Sequence, residues 1–205
     1  MPLRNFFMGD DDPMSGTKVA AETYDNMRDT YSRGYVQVYT GNGKGKTTAA
    51  IGLAMRALGA GMHVFFAQFI KGGKYSEIEM LEALSGQGAS IVCRQYGEGC
   101  FIVREAAESD AVAAKRGLEE VRAAMKSGDY QLIVLDEANV ASSLGLLAAE
   151  ELVSLIDEKP EMVELVFTGR NAPNVLIERA DLVTEMKEIK HYYRQGVRAR
   201  KGIES

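Results

Sequence analysis

The longest run without a charged residue is the 14 residues Ala57–Ile70. A helix that crosses a bilayer needs about 20 largely apolar residues, so no membrane span is expected. The amino terminus places Asp10, Asp11 and Asp12 just behind Phe6 and Phe7. It lacks the apolar stretch and small-residue cleavage site of a secretory leader. Cysteine is scarce: Cys93 and Cys100 alone make neither a disulfide framework nor a zinc ribbon. Two unpatterned thiols beside ten methionines suit a reducing cytoplasm, which is the expected location. Positive charge is not in excess: 24 Lys and Arg stand against 29 Asp and Glu, a net charge of −5. Duplex nucleic acid is repelled overall by that balance, so neither nucleic acid nor membrane is an expected partner. What is present is ordinary for a globular chain. The 205 residues are 46% hydrophobic and 26% charged, enough to bury a core without covalent staples.

Residues 1–33 differ from the rest. Met1 to Gly16 have no periodicity and read as an arm, while Thr17 to Arg33 carry a loose apolar stripe of Val19, Tyr24, Met27 and Tyr31 that suits one short helix. The arm, partly disordered or helical, is either a frayed terminus or a segment that folds over a site or a neighbouring subunit. Residues 34–205 form the expected domain, where short apolar runs alternate with helical patterns. The strands expected are Tyr35–Tyr39, His63–Ile70, Ser90–Cys93, Leu132–Leu135, Val163–Phe167 and Leu182–Thr184. The helices expected are Lys46–Leu58, Ser76–Leu84, Arg104–Lys126, Glu150–Glu158 and Ala172–Arg179. Such alternation predicts an α/β fold of three layers, with a mostly parallel sheet and right-handed crossovers.

Between the first strand and the first helix lies Thr40-Gly-Asn-Gly-Lys-Gly-Lys-Thr-Thr48. Three glycines, Gly41, Gly43 and Gly45, let the backbone curl and turn its N–H groups toward one point, and the helix N-terminus behind adds positive potential. Lys46 is placed to neutralise phosphate oxygens, and the Thr47 hydroxyl to ligate magnesium. Gly45-Lys46-Thr47 matches the end of the Walker pattern, so the fold is expected to be P-loop NTPase-like. The first glycine of that pattern falls at Thr40, where this chain departs from it. Asn42, Lys44 and Thr48 complete the set expected around a nucleotide, Lys44 being near it or merely solvated.

The apolar strand Leu132–Leu135 delivers Asp136 and Glu137 to its C-terminal end, where open α/β sheets bind ligands. Either carboxylate could hold magnesium, directly or through water. The alternative is that the pair caps the next helix. Thr168-Gly-Arg170 ends another strand on the same edge, and Arg170 is a candidate for a phosphate contact, against a plain surface arginine. Gln68 and Lys71 end the second strand near that edge, where packing and substrate contact explain them equally. The stretch Lys187–Lys201 has six basic residues and one acidic one, which suits a solvated surface or a nucleotide contact. His191, a lone histidine, reads as structural.

Taken together these motifs resemble the P-loop type of ATP:corrinoid adenosyltransferase. The phosphate loop Thr40–Ala50 is similar to that family's, including the departure at Thr40. Arg56-Ala-Leu-Gly59, Gly61, Gln68-Phe-Ile-Lys-Gly72, Leu135-Asp-Glu137 and Thr168-Gly-Arg170 follow in the family's order. The tail resembles it too, through Ala180–Lys187, Lys190-His191, Gly196-Val197 and Gly202-Ile203, so that the likeness spans about Gly34 to Ile203. It implies transfer of 5′-deoxyadenosine from MgATP to the cobalt(I) of a reduced corrinoid, with release of triphosphate. The nucleotide lies in the loop in the reverse direction in that family. A homodimer with the arm near the active site is implied as well, and a flavoprotein reductant is a candidate partner. Lys46, Thr47 and Glu137 are expected to be catalytic, and Thr47, Asp136 and Glu137 to hold the metal. Where the family carries a Gly-Phe-Thr-Trp stretch facing the corrinoid, this chain reads Gly99-Cys100-Phe101-Ile102 and has no tryptophan. Cys100, Phe101 and Ile102 are expected at the corrinoid, with Phe101 substituting for one ring and Cys100 either near the cobalt or a buried small thiol. The rival readings are a small-molecule kinase or ATPase that releases ADP, and an ATP-binding switch without substrate chemistry.

Overall fold

The computed structural model describes residues 31–73, 75–97 and 108–204. The described residues from Arg33 onward form one compact unit. Its elements in chain order are β1 (Val36–Thr40), α1 (Lys46–Gly59), β2 (Val64–Phe69), α2 (Ser76–Gly86), β3 (Ile91–Tyr96), α3 (Glu108–Ser127), β4 (Leu132–Asp136), α4 (Ala138–Ser143), α5 (Ala149–Glu158), β5 (Glu164–Thr168), α6 (Asn174–Arg179) and β6 (Leu182–Glu185). A 3₁₀ turn follows at Tyr192–Gln195. The strands form a single sheet of order β3-β2-β4-β5-β1-β6. Every pairing in it is parallel.

The sheet separates two apolar layers because side chains alternate across a strand. Val64 and Phe66 of β2, Leu132 and Val134 of β4, and Val166 of β5 face α1 and α2, meeting Ala50, Ala54, Ala57, Ile78 and Leu81. Phe65, Ala67, Phe69, Ile133, Leu135, Leu165 and Phe167 face the other way. There they pack on Ala114, Leu118, Val121 and Met125 of α3 and on Leu152 and Leu155 of α5. The helix positions recur at three- and four-residue spacing, one stripe per helix. Because both faces are covered, β2 and β4 are buried at every residue. That explains their unbroken apolar runs. The expected three-layer α/β fold is what the chain adopts.

Differences from the expected elements have local causes. β3 continues past Cys93 to Tyr96 because its register with β2 runs from Val64↔Ile91 to Phe69↔Tyr96. Arg94 and Gln95 break the apolar pattern without breaking the pairing, and Gln95 lies beside Gln68 in that register. α4 has only six residues and no amphipathic period long enough to read. The structural expectations for the arm before Tyr31, for Arg104 at the start of the long helix, and for Cys100, Phe101 and Ile102 lie outside the described residues.

Candidate active site

The loop between β1 and α1 curls because Gly41 and Gly45 take φ of 92° and 117°, which a side-chain-bearing residue rarely adopts. Gly45 is the N-cap of α1, so the free N–H groups of the first helical turn open onto the loop. The departure at Thr40 has a plain reason. Thr40 ends β1 in register with Glu185 of β6, a regular strand position that needs no glycine. Its hydroxyl accepts the Ala172 N–H at 3.3 Å, tying β1 to the loop that follows Arg170. Asn42, Lys44 and Thr48 are exposed around the same loop.

Lys46 is only 8% exposed. Its Nζ donates to the carbonyls of Gly41 and Gly43, at 2.7 Å each. Burial lowers its pKa, with Arg170 pushing the same way, while Glu137 and Asp136 pull it back. An ammonium folded onto two neutral carbonyls is a charge without a counter-ion in contact, and a phosphate supplies one.

Behind the loop, Asp136 ends β4 fully buried. Its Oδ1 accepts the hydroxyls of Thr47 at 2.9 Å and Thr168 at 2.7 Å. Its Oδ2 accepts Gln68 Nε2 at 2.9 Å and lies 3.6 Å from Lys71 Nζ. Gln95 in turn donates to Gln68 Oε1 at 2.8 Å and to the Gly73 carbonyl at 3.0 Å. The carboxylate is thus held by α1, β2 and β5 at once. Lys71 also lies 3.7 Å from Glu137 Oε1, and its Nζ sits 5.2 Å from the centre of the Tyr75 ring.

Glu137 takes φ of 61° immediately after β4, and its N–H donates to Thr168 Oγ1 at 3.0 Å. Its carboxyl is raised above the ordinary range, first by burial and then by Asp136, against the pull of Lys71, Lys46 and Arg170. Glu137 occupies the N-cap position of α4 without a side-chain capping bond, and the hydrogen bonds of Asp136 run to Thr47, Thr168 and Gln68. Helix capping is therefore not what this pair does.

Lys46, Thr47, Asp136 and Glu137 thus meet at the C-terminal edge of the sheet. Exposed Arg170 acts on the charges of both Lys46 and Glu137. Gln68 and Lys71 join the site through Asp136. Thr168 and Gln95 had no individual role from sequence; the sole hint was that each ends or precedes the end of a strand on the same edge. Gln95 could have been found only from the β2–β3 register. Cys93 is elsewhere on β3, and burial pushes its thiol up to about 12, so it is not a ready nucleophile. His191 accepts the Tyr193 N–H through Nδ1, a structural bond. Three of the six basic residues of that stretch are paired: Lys187 with Glu185, Arg194 with Glu188 and Arg200 with Glu204.

No cluster of three or more His, Cys, Asp or Glu capable of holding a metal occurs among the described residues. The donors present are two carboxylates and a hydroxyl, all hard oxygens. That set fits magnesium, which takes one or two protein ligands and completes its shell with phosphate and water. Thr47 donates its proton to Asp136, which leaves its oxygen lone pairs for a cation.

A phosphate loop with its lysine buried and its threonine hydrogen-bonded to a strand-end aspartate defines a P-loop nucleotide-binding protein. Residues 32–205 match the family described as ATP:corrinoid adenosyltransferase BtuR/CobO/CobP. A corrinoid adenosyltransferase of Sinorhizobium sp is 38% identical over 179 residues, covering 85% of this chain and 82% of that protein. The corrinoid adenosyltransferase of Pseudomonas aeruginosa is 37% identical over 84% of each chain. That of Escherichia coli K12 is 34% identical over 84% of this chain and 86% of its own. This chain belongs to the ATP:corrinoid adenosyltransferase family, and its fold and transferase class are those of that family.

Proposed function

We propose that this protein transfers the 5′-deoxyadenosyl group of MgATP to the cobalt(I) of a corrinoid, in the formation or salvage of adenosylcobalamin. The observation that carries the reading is the intact Lys46–Thr47–Asp136–Glu137 edge in a chain of this family. Cobalt(I) supplies an electron pair to the 5′ carbon, the cobalt–carbon bond forms, and the C5′–O bond breaks with its electrons on triphosphate. The metal centre of the corrinoid is itself the nucleophile, so no side-chain base is needed. The protein's work is to orient the two substrates and to stabilise charge on the leaving triphosphate.

Lys46 leaves the carbonyls of Gly41 and Gly43 and pairs with triphosphate oxygens, as do the N–H groups of the loop and of the first turn of α1. Arg170 extends the positive field from the far side of the loop. Thr47 and either Glu137 or Asp136 would hold magnesium, which would neutralise charge on the triphosphate. Asp136 accepts bonds at both oxygens, which favours contact through Thr47 or water and leaves Glu137 as the carboxylate with room for direct contact. The nucleotide lies with its 5′ carbon, not its γ-phosphate, toward the acceptor. Cys100, Phe101 and Ile102 contribute to the corrinoid side. The chain acts as a homodimer, with residues 34–205 as its catalytic domain and a flavoprotein as reductant.

The test is anaerobic mixing of the protein, MgATP and chemically reduced cob(I)alamin, followed by visible spectroscopy. Appearance of the adenosylcobalamin spectrum, absent with Lys46→Ala, is the expected result. No cobalt–carbon product with cobalamin or with a precursor corrinoid would discard the reading.

A further inference from the structure

The segment after β6 takes no part in the chemistry above, yet it is fixed to the phosphate loop at both ends. At its start, Met186 N–H donates to the Thr40 carbonyl at 2.8 Å, and the Met186 carbonyl accepts the Gly43 N–H at 2.7 Å. The approach is close: a Cβ on Gly41 would lie 2.4 Å, and on Gly43 2.8 Å, from the Met186 oxygen. At its end, Lys44 Nζ donates to the Ile203 carbonyl at 2.9 Å, across 159 residues of sequence. Gly41 and Gly43 therefore serve this contact as well as the curl of the loop.

Between the two anchors the chain folds back on itself around one carboxylate. Glu204 accepts the hydroxyl of Tyr192 at Oε1, the Arg200 N–H at 2.8 Å, and Arg200 Nη2 at 3.0 Å. The Arg200 guanidinium lies 5.2 Å from the centre of the Tyr192 ring. The Glu204 side chain is only 13% exposed. Its pKa is held down to about 2, chiefly by the hydrogen bonds from Arg200 and Tyr192. Glu204 directly follows Ile203, the residue whose carbonyl receives Lys44.

We propose that Glu204 is a positioning residue for the nucleotide: its carboxylate latches the C-terminal segment closed, and the closed segment holds Lys44 and the first turn of the phosphate loop in the shape that takes triphosphate. The proposal rests on the ATP-binding reading above. With the latch broken, the fold that presents the Ile203 carbonyl is lost, Lys44 loses its acceptor, and ordering of the loop must be met from the free energy of ATP binding. Glu204 touches no reacting atom, so the effect falls on ATP affinity and not on the transfer step.

The experiment uses the full chain. Titration of MgATP by calorimetry, without corrinoid, is compared for the wild type, Glu204→Ala, Tyr192→Phe, Lys44→Met and the Lys44→Met/Glu204→Ala pair. Trypsin cleavage at Arg198 and Lys201 reports the latch directly. Glu204→Ala is expected to weaken MgATP about tenfold, the size of one charge-assisted hydrogen bond. It should raise KM for ATP with kcat at saturating ATP retained, and speed cleavage of the tail. Tyr192→Phe should lie between it and the wild type. In the Lys44→Met background Glu204→Ala should add little, because both act through one contact. Faster tail cleavage with unchanged ATP affinity overturns the proposal. So does full additivity with Lys44→Met, or a tail in Glu204→Ala as protected as in the wild type. A wild type that binds no MgATP sinks the nucleotide reading itself, and the latch's role with it; the wild-type titration separates that failure from the latch's own.

Discussion

Asp136 illustrates how much one buried residue organises. Both of its oxygens are engaged, by Thr47 and Thr168 on one side and Gln68 on the other, with Lys71 close by. A buried carboxylate so surrounded orients its neighbours, and its cost of burial is offset by those bonds. Lys46 stands at the other extreme, its ammonium parked on two loop carbonyls. On the proposed function, Lys46→Ala removes the charge that pairs with the leaving triphosphate and should lower turnover by about 100-fold or more. Thr47→Ala should act similarly and raise the magnesium requirement. Steady-state adenosylation checks both, and near-normal turnover by either variant contradicts its role. Glu137 carries the opposite cost. Its raised pKa means that the folded state holds that proton more tightly than the unfolded chain does. Stability contributed by the protonated form is present below the ordinary glutamate value and lost as pH rises through the raised one. Glu137→Gln should therefore raise the Tm of the nucleotide-free protein at pH 7. The gain should fade toward about pH 4, where glutamate in either state begins to hold its proton. The same variant should bind MgATP more weakly. A lower Tm at pH 7 would contradict this electrostatic account. The placement of Lys46 and Thr47 at the start of α1 behind a glycine loop was legible because glycine, lysine and threonine spacing encodes it locally. The contacts of Thr168, Gln95 and Lys71 around Asp136 were not, since they depend on which strands lie side by side.

At the scale of elements, the site sits where strands end. The three described non-glycine residues with positive φ are Ile70, Glu137 and Asn171. Each lies within three residues of the end of β2, β4 or β5. Such conformations cost roughly 1–3 kcal/mol and persist where surrounding structure fixes them. Here they turn Lys71, the end of β4 and the loop after Arg170 at the edge that carries the phosphate loop. Packing between elements is equally tight. Gly117 lies mid-way along α3, where a Cβ would come 2.6 Å from the Tyr96 ring and 3.0 Å from Phe69. Alanine usually gains about 1 kcal/mol over glycine inside a helix. Overpacking costs about 1–3 kcal/mol, and it should win here. Gly117→Ala is expected to lower Tm by several degrees, and a higher Tm would show that α3 can shift away from β3. Most elements were readable from apolar period because each buries one stripe or both faces. α4 was not, because six residues do not complete two turns. Nor was the full length of β3, where polar Arg94 and Gln95 continue a ladder set by β2.

At the scale of the whole molecule, the order β4-β5-β1 sets the distance between the acid and the phosphate loop. β5 lies between the two strands and places Thr168 where it can bond Asp136. The alternation that makes the sheet parallel is a local pattern and was legible, but this order was not, because it depends on long-range pairing that no local pattern encodes. Among the described residues no helix is long and apolar enough to cross a membrane. β6 then carries the chain past the loop, where Met186 bonds Thr40 and Gly43 and the Ile203 carbonyl receives Lys44. On the proposed function, this loop presents the 5′ carbon of ATP and not its γ-phosphate. The most direct measurement is phosphorus NMR of the products after anaerobic turnover with MgATP and cob(I)alamin. Inorganic triphosphate is expected in amounts equal to the adenosylcobalamin formed, with no ADP. ADP as the phosphorus product, with no adenosylated corrinoid, would contradict it and make the protein a phosphotransferase or ATPase.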